Sequence, residues 1–140
     1  MRQILLFAAL AASLALLSGC ALSRAKEDKA EDMTDKAAYH KLSAEEAYEM
    51  MASREVVVVD VRTREEYDGG HIENAVLVPN ESIDSEMPET LPDKEATLLI
   101  YCRSGRRSKD AAQKLLALGY QSVYDFGGVI DWPYELVKEG

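Results

Sequence analysis

The chain has 140 residues, of which 47% are hydrophobic, 29% charged and 7% aromatic. This is the composition of a globular protein, and it excludes collagen-like, low-complexity and wholly disordered chains. Acidic residues outnumber basic ones by 25 to 16, and the resulting net charge of −9 disfavours binding to a nucleic-acid backbone. The only cysteines, Cys20 and Cys102, are too few for a disulfide framework or a four-cysteine zinc site, and we expect neither metal nor cofactor.

The N-terminal region has the features of an export signal. Arg2 precedes an uncharged apolar run over residues 4–17, which is shorter than the about 20 residues of a membrane-spanning helix. The run ends in the sequence LSGC, which resembles a bacterial lipobox whose last residue is Cys20. The resemblance implies that residues 1–19 are removed and that acyl chains on Cys20 hold the protein to a membrane of the bacterial cell envelope, facing the periplasm or the exterior. An ordinary cleaved signal is the alternative.

Two further segments follow the signal. Residues 20–38 are polar, mixed in charge and poor in large apolar side chains, so we predict a flexible, lipid-anchored tether. Residues 39–140 form the predicted folded domain.

The predicted domain alternates strands with helices. Strands are predicted at 39–42, 56–59, 75–78, 97–101 and 123–126, and helices at 44–53 and 108–118. The segment Val56 to Val59 lacks polar alternation, as in a strand that is buried on both faces of a parallel sheet. Ser43 and Glu46 have the spacing of a capping box. The alternation predicts an α/β fold with a mostly parallel sheet of four to five strands, whose ligands bind at the carboxyl ends of the strands.

A single cysteine lies between a predicted buried strand and a predicted helix. The connection consists of Cys102, Arg103, Ser104, Gly105, Arg106 and Arg107. Free amides at the helix start, the helix dipole and three guanidinium groups all favour a thiolate there. Gly105 can adopt the positive φ that turns successive amides inward. We therefore predict a reactive, solvent-accessible Cys102 with a pKa below that of an ordinary thiol; the alternative is a buried structural cysteine with solvated arginines.

Two stretches of the domain resemble the rhodanese (sulfurtransferase) family. The first, DVRTREEYDGGHIENA over residues 60–75, is similar to the family's D-V-R-x-x-x-E-[FY]-x-x-G-H-I-x-x-A segment. The second is the Cys102 loop followed by Gly127, Gly128 and Trp132, which is similar to the family's terminal G-G-x-x-x-W. The resemblance covers residues 40–140 and implies a single-domain, three-layer α/β/α fold.

The resemblance also implies a reaction. Cys102 would take the outer sulfur of a small anionic donor such as thiosulfate as a persulfide, and then pass it to cyanide or a thiol acceptor. The resemblance makes Arg103, Ser104, Gly105, Arg106 and Arg107 the candidate substrate-binding residues. One alternative is a related cell-cycle-type phosphatase or arsenate reductase, although such loops carry one more residue between cysteine and arginine. Another is a persulfide carrier or binding module without turnover.

Four further residues of the first stretch are expected at the edge of the site. We interpret Asp60 and Arg62 as a structural pair that fixes the turn after the first buried strand, and we expect Glu66 to join the same ionic network. His71 follows two glycines, and we expect it to pack and hydrogen-bond at a turn rather than act as a general base, because a preformed thiolate needs no base.

Overall fold

A computed structural model describes residues 37–138. The predicted signal, the predicted lipidation at Cys20 and the predicted tether up to residue 36 lie outside this range. Within residues 37–138, none of the helices is long and apolar enough to cross a membrane.

The described chain forms a parallel sheet flanked by helices. The strands are β1 (Ala38–Lys41), β2 (Val57–Asp60), β3 (Val76–Leu77), β4 (Thr97–Cys102) and β5 (Ser122–Gly128), and the α-helices are α1 (Ala44–Ser53), α2 (Arg64–Asp68) and α3 (Arg106–Ala117). The strands pair in the order β1-β5-β4-β2-β3, and every pairing is parallel. The predicted α/β fold is confirmed. Helix α2 was not predicted, and α3 begins two residues earlier than the predicted residue 108.

Both faces of the sheet are covered, because successive side chains of a strand point to opposite faces. Val59 packs on one face in an apolar cluster with Leu115 of α3. Val58 packs on the other face in a second cluster with Ala47 of α1 and Tyr67 of α2. The apolar run in β2 thus follows from burial on two sides, and the result is the predicted three-layer arrangement.

Capping boxes begin both helices that precede the site. The Glu46 amide donates to Ser43 Oγ at 3.1 Å, and the Ser43 amide donates to Glu46 Oε2 at 2.7 Å. Thr63 and Glu66 repeat this exchange at the start of α2, with distances of 3.3 and 3.0 Å. The second box has the same spacing in the sequence as the first and could have been used to predict α2.

The loop after Cys102 lies directly against β5. Cys102 is opposite Gly128, and the register between β4 and β5 shifts between Ile100 and Cys102. A Cβ atom on Gly128 would lie 2.2 Å from the carbonyl oxygen of Arg103, so only glycine permits this approach. Because β4 is the middle strand, Cys102 comes to the carboxyl end of the sheet's centre.

A buried ionic network crosses the carboxyl ends of β2 and β4. Arg62 donates to Asp60 through Nε and through a 2.6 Å contact from Nη2, and it also donates to the Gly70 carbonyl at 2.8 Å. Burial and the charge of Asp60 raise the pKa of Tyr101 far above its usual value, so its hydroxyl stays protonated and donates to Asp60 at 2.7 Å. Asp60 and Arg62 therefore hold the β2–α2 turn to the sheet.

We expect Arg62→Met to lower the free energy of unfolding by about 3–5 kcal/mol, because it leaves the buried Asp60 carboxylate without its cation. Urea denaturation measures the change. The control is Arg64→Met, which breaks an exposed pair with Asp68 and should cost about 1 kcal/mol or less. Equal decreases in the free energy of unfolding for the two variants would show that the buried network contributes no more to stability than an exposed ion pair.

Candidate active site

The sulfur of Cys102 forms hydrogen bonds with the start of α3. The Gly105 amide donates to Sγ at 3.0 Å, and the Ser108 hydroxyl lies 3.6 Å from Sγ. Gly105 is the N-cap of α3 and has a φ of 99°, a left-handed conformation that suits glycine. The sulfur thus lies at the N-terminus of a 12-residue helix, where free amides and the helix dipole favour an anion.

These donors set the acidity of the thiol. Burial raises the pKa of Cys102, but hydrogen bonds from the Ser108 hydroxyl and from the amides of Ser108, Gly105 and Ser104 lower it, and the net pKa lies below that of an ordinary thiol. The predicted direction of the shift is therefore confirmed. The donors that act on Cys102 are hydrogen-bonding groups at short range. Of the three loop arginines predicted to favour the thiolate, Arg107 has a charge interaction with Cys102.

The prediction of a solvent-accessible cysteine is wrong. Cys102 has 0% exposed surface and belongs to the apolar cluster between the sheet and α3. Cys102 is therefore buried, as the alternative of a structural cysteine expects. A cysteine buried among apolar groups alone has a raised pKa, however, and Cys102 has the opposite shift. A small molecule can reach Sγ only when the residues that cover it move.

Arg107 and Glu66 form a salt bridge across the site. Arg107 donates to both carboxylate oxygens of Glu66, each at 2.8 Å. The Arg107 hydrogen bonds hold the pKa of Glu66 at about 2, so the pair stays ionised at neutral pH. The prediction that Glu66 joins the Asp60 and Arg62 network is wrong: the carboxylate caps α2 and pairs with the Cys102 loop. The positive charge of Arg107 is therefore balanced by the carboxylate of Glu66.

The other two loop arginines are solvent-exposed. Within residues 37–138, the side chains of Arg103 and Arg106 make neither a hydrogen bond nor an ion pair, although the charge of Arg106 contributes to a lowered pKa of Asp110. Arg103 lines a cavity of about 320 Å³ together with Arg62 and Glu66. Ser104 is also exposed. The loop therefore offers two free guanidinium groups at its surface.

His71 lies apart from the sulfur. Its ring stacks on Tyr67 with centroids 3.7 Å apart, and Nδ1 is 2.9 Å from the Tyr67 carbonyl oxygen. Its backbone exchanges hydrogen bonds with Val137 at 2.9 and 2.8 Å. These contacts are those of a residue packed at a turn, and no contact joins His71 to Cys102 among the described residues.

Ser108 is the site residue that the sequence analysis missed. Its hydroxyl lies within hydrogen-bond distance of Cys102 Sγ and of the Gly105 and Gly127 carbonyl oxygens, the last two at 3.1 and 3.3 Å. A serine in the first turn of a helix is common, so its identity alone carried no signal. Within the described range, no group of three or more His, Cys, Asp or Glu side chains is placed to hold a metal ion.

Comparisons with known proteins identify the family of this chain. The model of the rhodanese-like domain matches residues 43–133. The chain belongs to the rhodanese-like domain family. It is 31% identical over 106 residues to a tRNA uridine(34) hydroxylase of Yersinia pestis (strain Pestoides F), a match that covers 72% of this chain and only 30% of that protein.

Solved structures show the same fold. A rhodanese with anions from E. coli is 32% identical, with a TM-score of 0.55 and coverage of 61% of this chain and 100% of that one. A human single-domain sulfurtransferase is 26% identical, with a TM-score of 0.60 and coverage of 66% of this chain and 93% of that one.

We expect Ser108→Ala to raise the pKa of Cys102, because the variant removes a hydrogen bond that favours the thiolate. A pH titration of the thiolate's ultraviolet absorbance measures the shift without requiring a reagent to reach the buried sulfur. Ser104→Ala is the matched control: Ser104 contributes its backbone amide, which the substitution retains. An unchanged titration curve for Ser108→Ala would exclude the hydroxyl as a source of the shift.

Proposed function

We propose that this rhodanese-domain protein is a sulfurtransferase that carries sulfane sulfur on Cys102. The observation that carries the proposal is the 3.0 Å hydrogen bond from the Gly105 amide to Sγ within a set of donors that lowers the thiol pKa. Such an environment increases the thiolate fraction of Cys102, and the thiolate is the nucleophilic form of cysteine. The position at the carboxyl end of the middle strand is where an α/β sheet binds ligands.

The reaction has two balanced steps. The Cys102 thiolate attacks the outer sulfur of thiosulfate, the sulfur–sulfur bond of thiosulfate breaks, and sulfite leaves with the electron pair. The enzyme then holds a persulfide whose outer sulfur is anionic. Cyanide or a thiolate acceptor attacks that outer sulfur, and the Cys102 thiolate is released as the leaving group. No step needs a general base.

The loop supplies the electrostatics of both steps. Arg103 and Arg106 are exposed and free of ion pairs in the described range, so they attract the dianionic donor and stabilise the departing sulfite. Arg107 is committed to Glu66, and its role is to fix the start of α3 against α2. The amides of Ser104, Gly105 and Ser108 hold the negative charge that alternates between Sγ and the outer sulfur.

Two other activities are less well supported. The six-residue span from Cys102 to Arg107 is one residue shorter than in the related phosphatases and arsenate reductases, and it leaves less room for a tetrahedral phosphate. The name tRNA uridine(34) hydroxylase belongs to proteins of which this chain covers only 30%. The net charge of −9 also opposes contact with a tRNA backbone.

Purified protein mixed with thiosulfate should gain the mass of one sulfur atom, and cyanide should remove that mass while thiocyanate forms. Intact-protein mass spectrometry measures both steps, and Cys102→Ser should show neither. A persulfide that forms but reacts with neither cyanide nor thiols would indicate a carrier without turnover. If thiosulfate leaves the mass unchanged while the protein hydrolyses an aryl phosphate, the phosphatase alternative is correct.

We also propose that acyl chains on Cys20 attach the protein to a membrane of the bacterial cell envelope. The support is the sequence LSGC at the end of an apolar run. Cells that express the full chain should incorporate labelled palmitate into it, and the protein should sediment with membranes. Cys20→Ser should lose the label, whereas Cys102→Ser should keep it. Labelling of the Cys20→Ser variant would contradict lipidation at this position.

A further inference from the structure

A second cavity lies between α1 and the C-terminal segment. It measures about 660 Å³, and none of the residues that line it belongs to the Cys102 loop. Its wall includes three aromatic side chains and two glutamates, namely Tyr48, Trp132, Tyr134, Glu73 and Glu135. Among the described residues, no lysine, arginine or histidine lines it. The charged side chains that line the cavity are therefore all negative, and three of its residues are aromatic.

The aromatic rings form a corner that is open to solvent. Tyr48 and Tyr134 stack with centroids 3.8 Å apart, while Trp132 stands at 71° to Tyr134 with centroids 5.0 Å apart. Tyr48 and Tyr134 are 46% and 36% exposed. Perpendicular rings present an aromatic face next to an aromatic edge, and a ring face carries the negative end of the quadrupole. Exposed aromatic surface gathered in a concavity is typical of a binding site.

The two glutamates add full charges to this corner. Glu73 and Glu135 are exposed, and neither forms an ion pair or a hydrogen bond with another residue of the described range. Glu66, by contrast, is paired with Arg107. The buried indole nitrogen of Trp132 also has no hydrogen-bond acceptor among the described residues. Ring faces and carboxylates both attract a cation, and they repel the anionic donor expected at Cys102.

We propose that this cavity binds an organic cation of the alkylammonium class. The cationic group lies against the rings of Trp132 and Tyr134 and is neutralised by Glu73 and Glu135. A quaternary ammonium suits this wall because its charge is diffuse and weakly hydrated, so little hydration is lost when an aromatic face replaces water. The binding involves neither Cys102 nor sulfur transfer.

Choline and its neutral isostere, in which a tert-butyl group replaces trimethylammonium, test the requirement for charge. Trp132 is the only tryptophan in the chain, so intrinsic fluorescence of the full-length protein reports on the cavity directly. Isothermal calorimetry provides a second measurement. We expect saturable binding of choline and at least about tenfold weaker binding of the isostere. Equal affinities, or the absence of both a fluorescence change and heat, would overturn the proposal.

Variants test the residues. Tyr134→Leu keeps apolar volume but removes a ring, and the double variant Glu73→Gln with Glu135→Gln keeps shape but removes charge. Each should weaken choline binding by about tenfold while Cys102 persulfide formation stays unchanged. The charge variant should also keep the thermal unfolding temperature of the parent protein, because neither glutamate forms an ion pair or a hydrogen bond in the described range. Glu89→Gln, at an exposed glutamate outside the cavity, should bind like the parent protein. Full affinity in either cavity variant, or an equal loss in Glu89→Gln, would contradict the assigned site.

Discussion

The site depends on one close approach between two stretches of backbone. Gly128 of β5 lies directly under the carbonyl of Arg103, at a distance that leaves no room for a Cβ atom. Gly127, at a φ of 91°, packs beside Gly105, and its carbonyl oxygen is within hydrogen-bond distance of Ser108. These contacts fix the shape of the Cys102 loop, and that shape directs the Gly105 amide at the sulfur. A side chain at Gly128 would displace the loop and with it the donors that stabilise the thiolate.

Because Cys102 is buried, nearby hydrogen-bond donors affect its sulfur more strongly than the exposed arginines of the loop do. Short hydrogen bonds act on Cys102 at full strength because the surroundings exclude water, whereas exposed guanidinium groups are screened by solvent and salt. Burial by itself would favour the neutral thiol, and the donors reverse that effect. The three arginines therefore divide their roles. Arg107 joins α3 to α2 through Glu66, while Arg103 and Arg106 remain exposed at the surface.

Two regions of the molecule carry opposite charge preferences. The Cys102 loop presents amides and free guanidinium groups, which suit an anionic sulfur donor. The cavity beside α1 presents ring faces and unpaired carboxylates, which suit a cation. The C-terminal segment contributes to both neighbourhoods, since Glu135 lines the larger cavity and Leu136 lines the smaller one beside Arg103. An acidic protein thus keeps a local environment for anions while most of its charge is negative.

The sequence by itself determined the α/β class and the approximate strand positions, and it made Cys102 the candidate reactive residue, because β-branched runs, capping spacings and a cysteine between strand and helix are local patterns. It could not determine that Glu66 pairs with Arg107, 41 positions away, or that Ser108 bonds the sulfur, because each contact depends on how α2 and α3 pack on the sheet. The burial of Cys102 and the aromatic corner were decided in the same way. Each brings together residues that are distant in the chain, and only the tertiary structure sets the distances on which their chemistry depends.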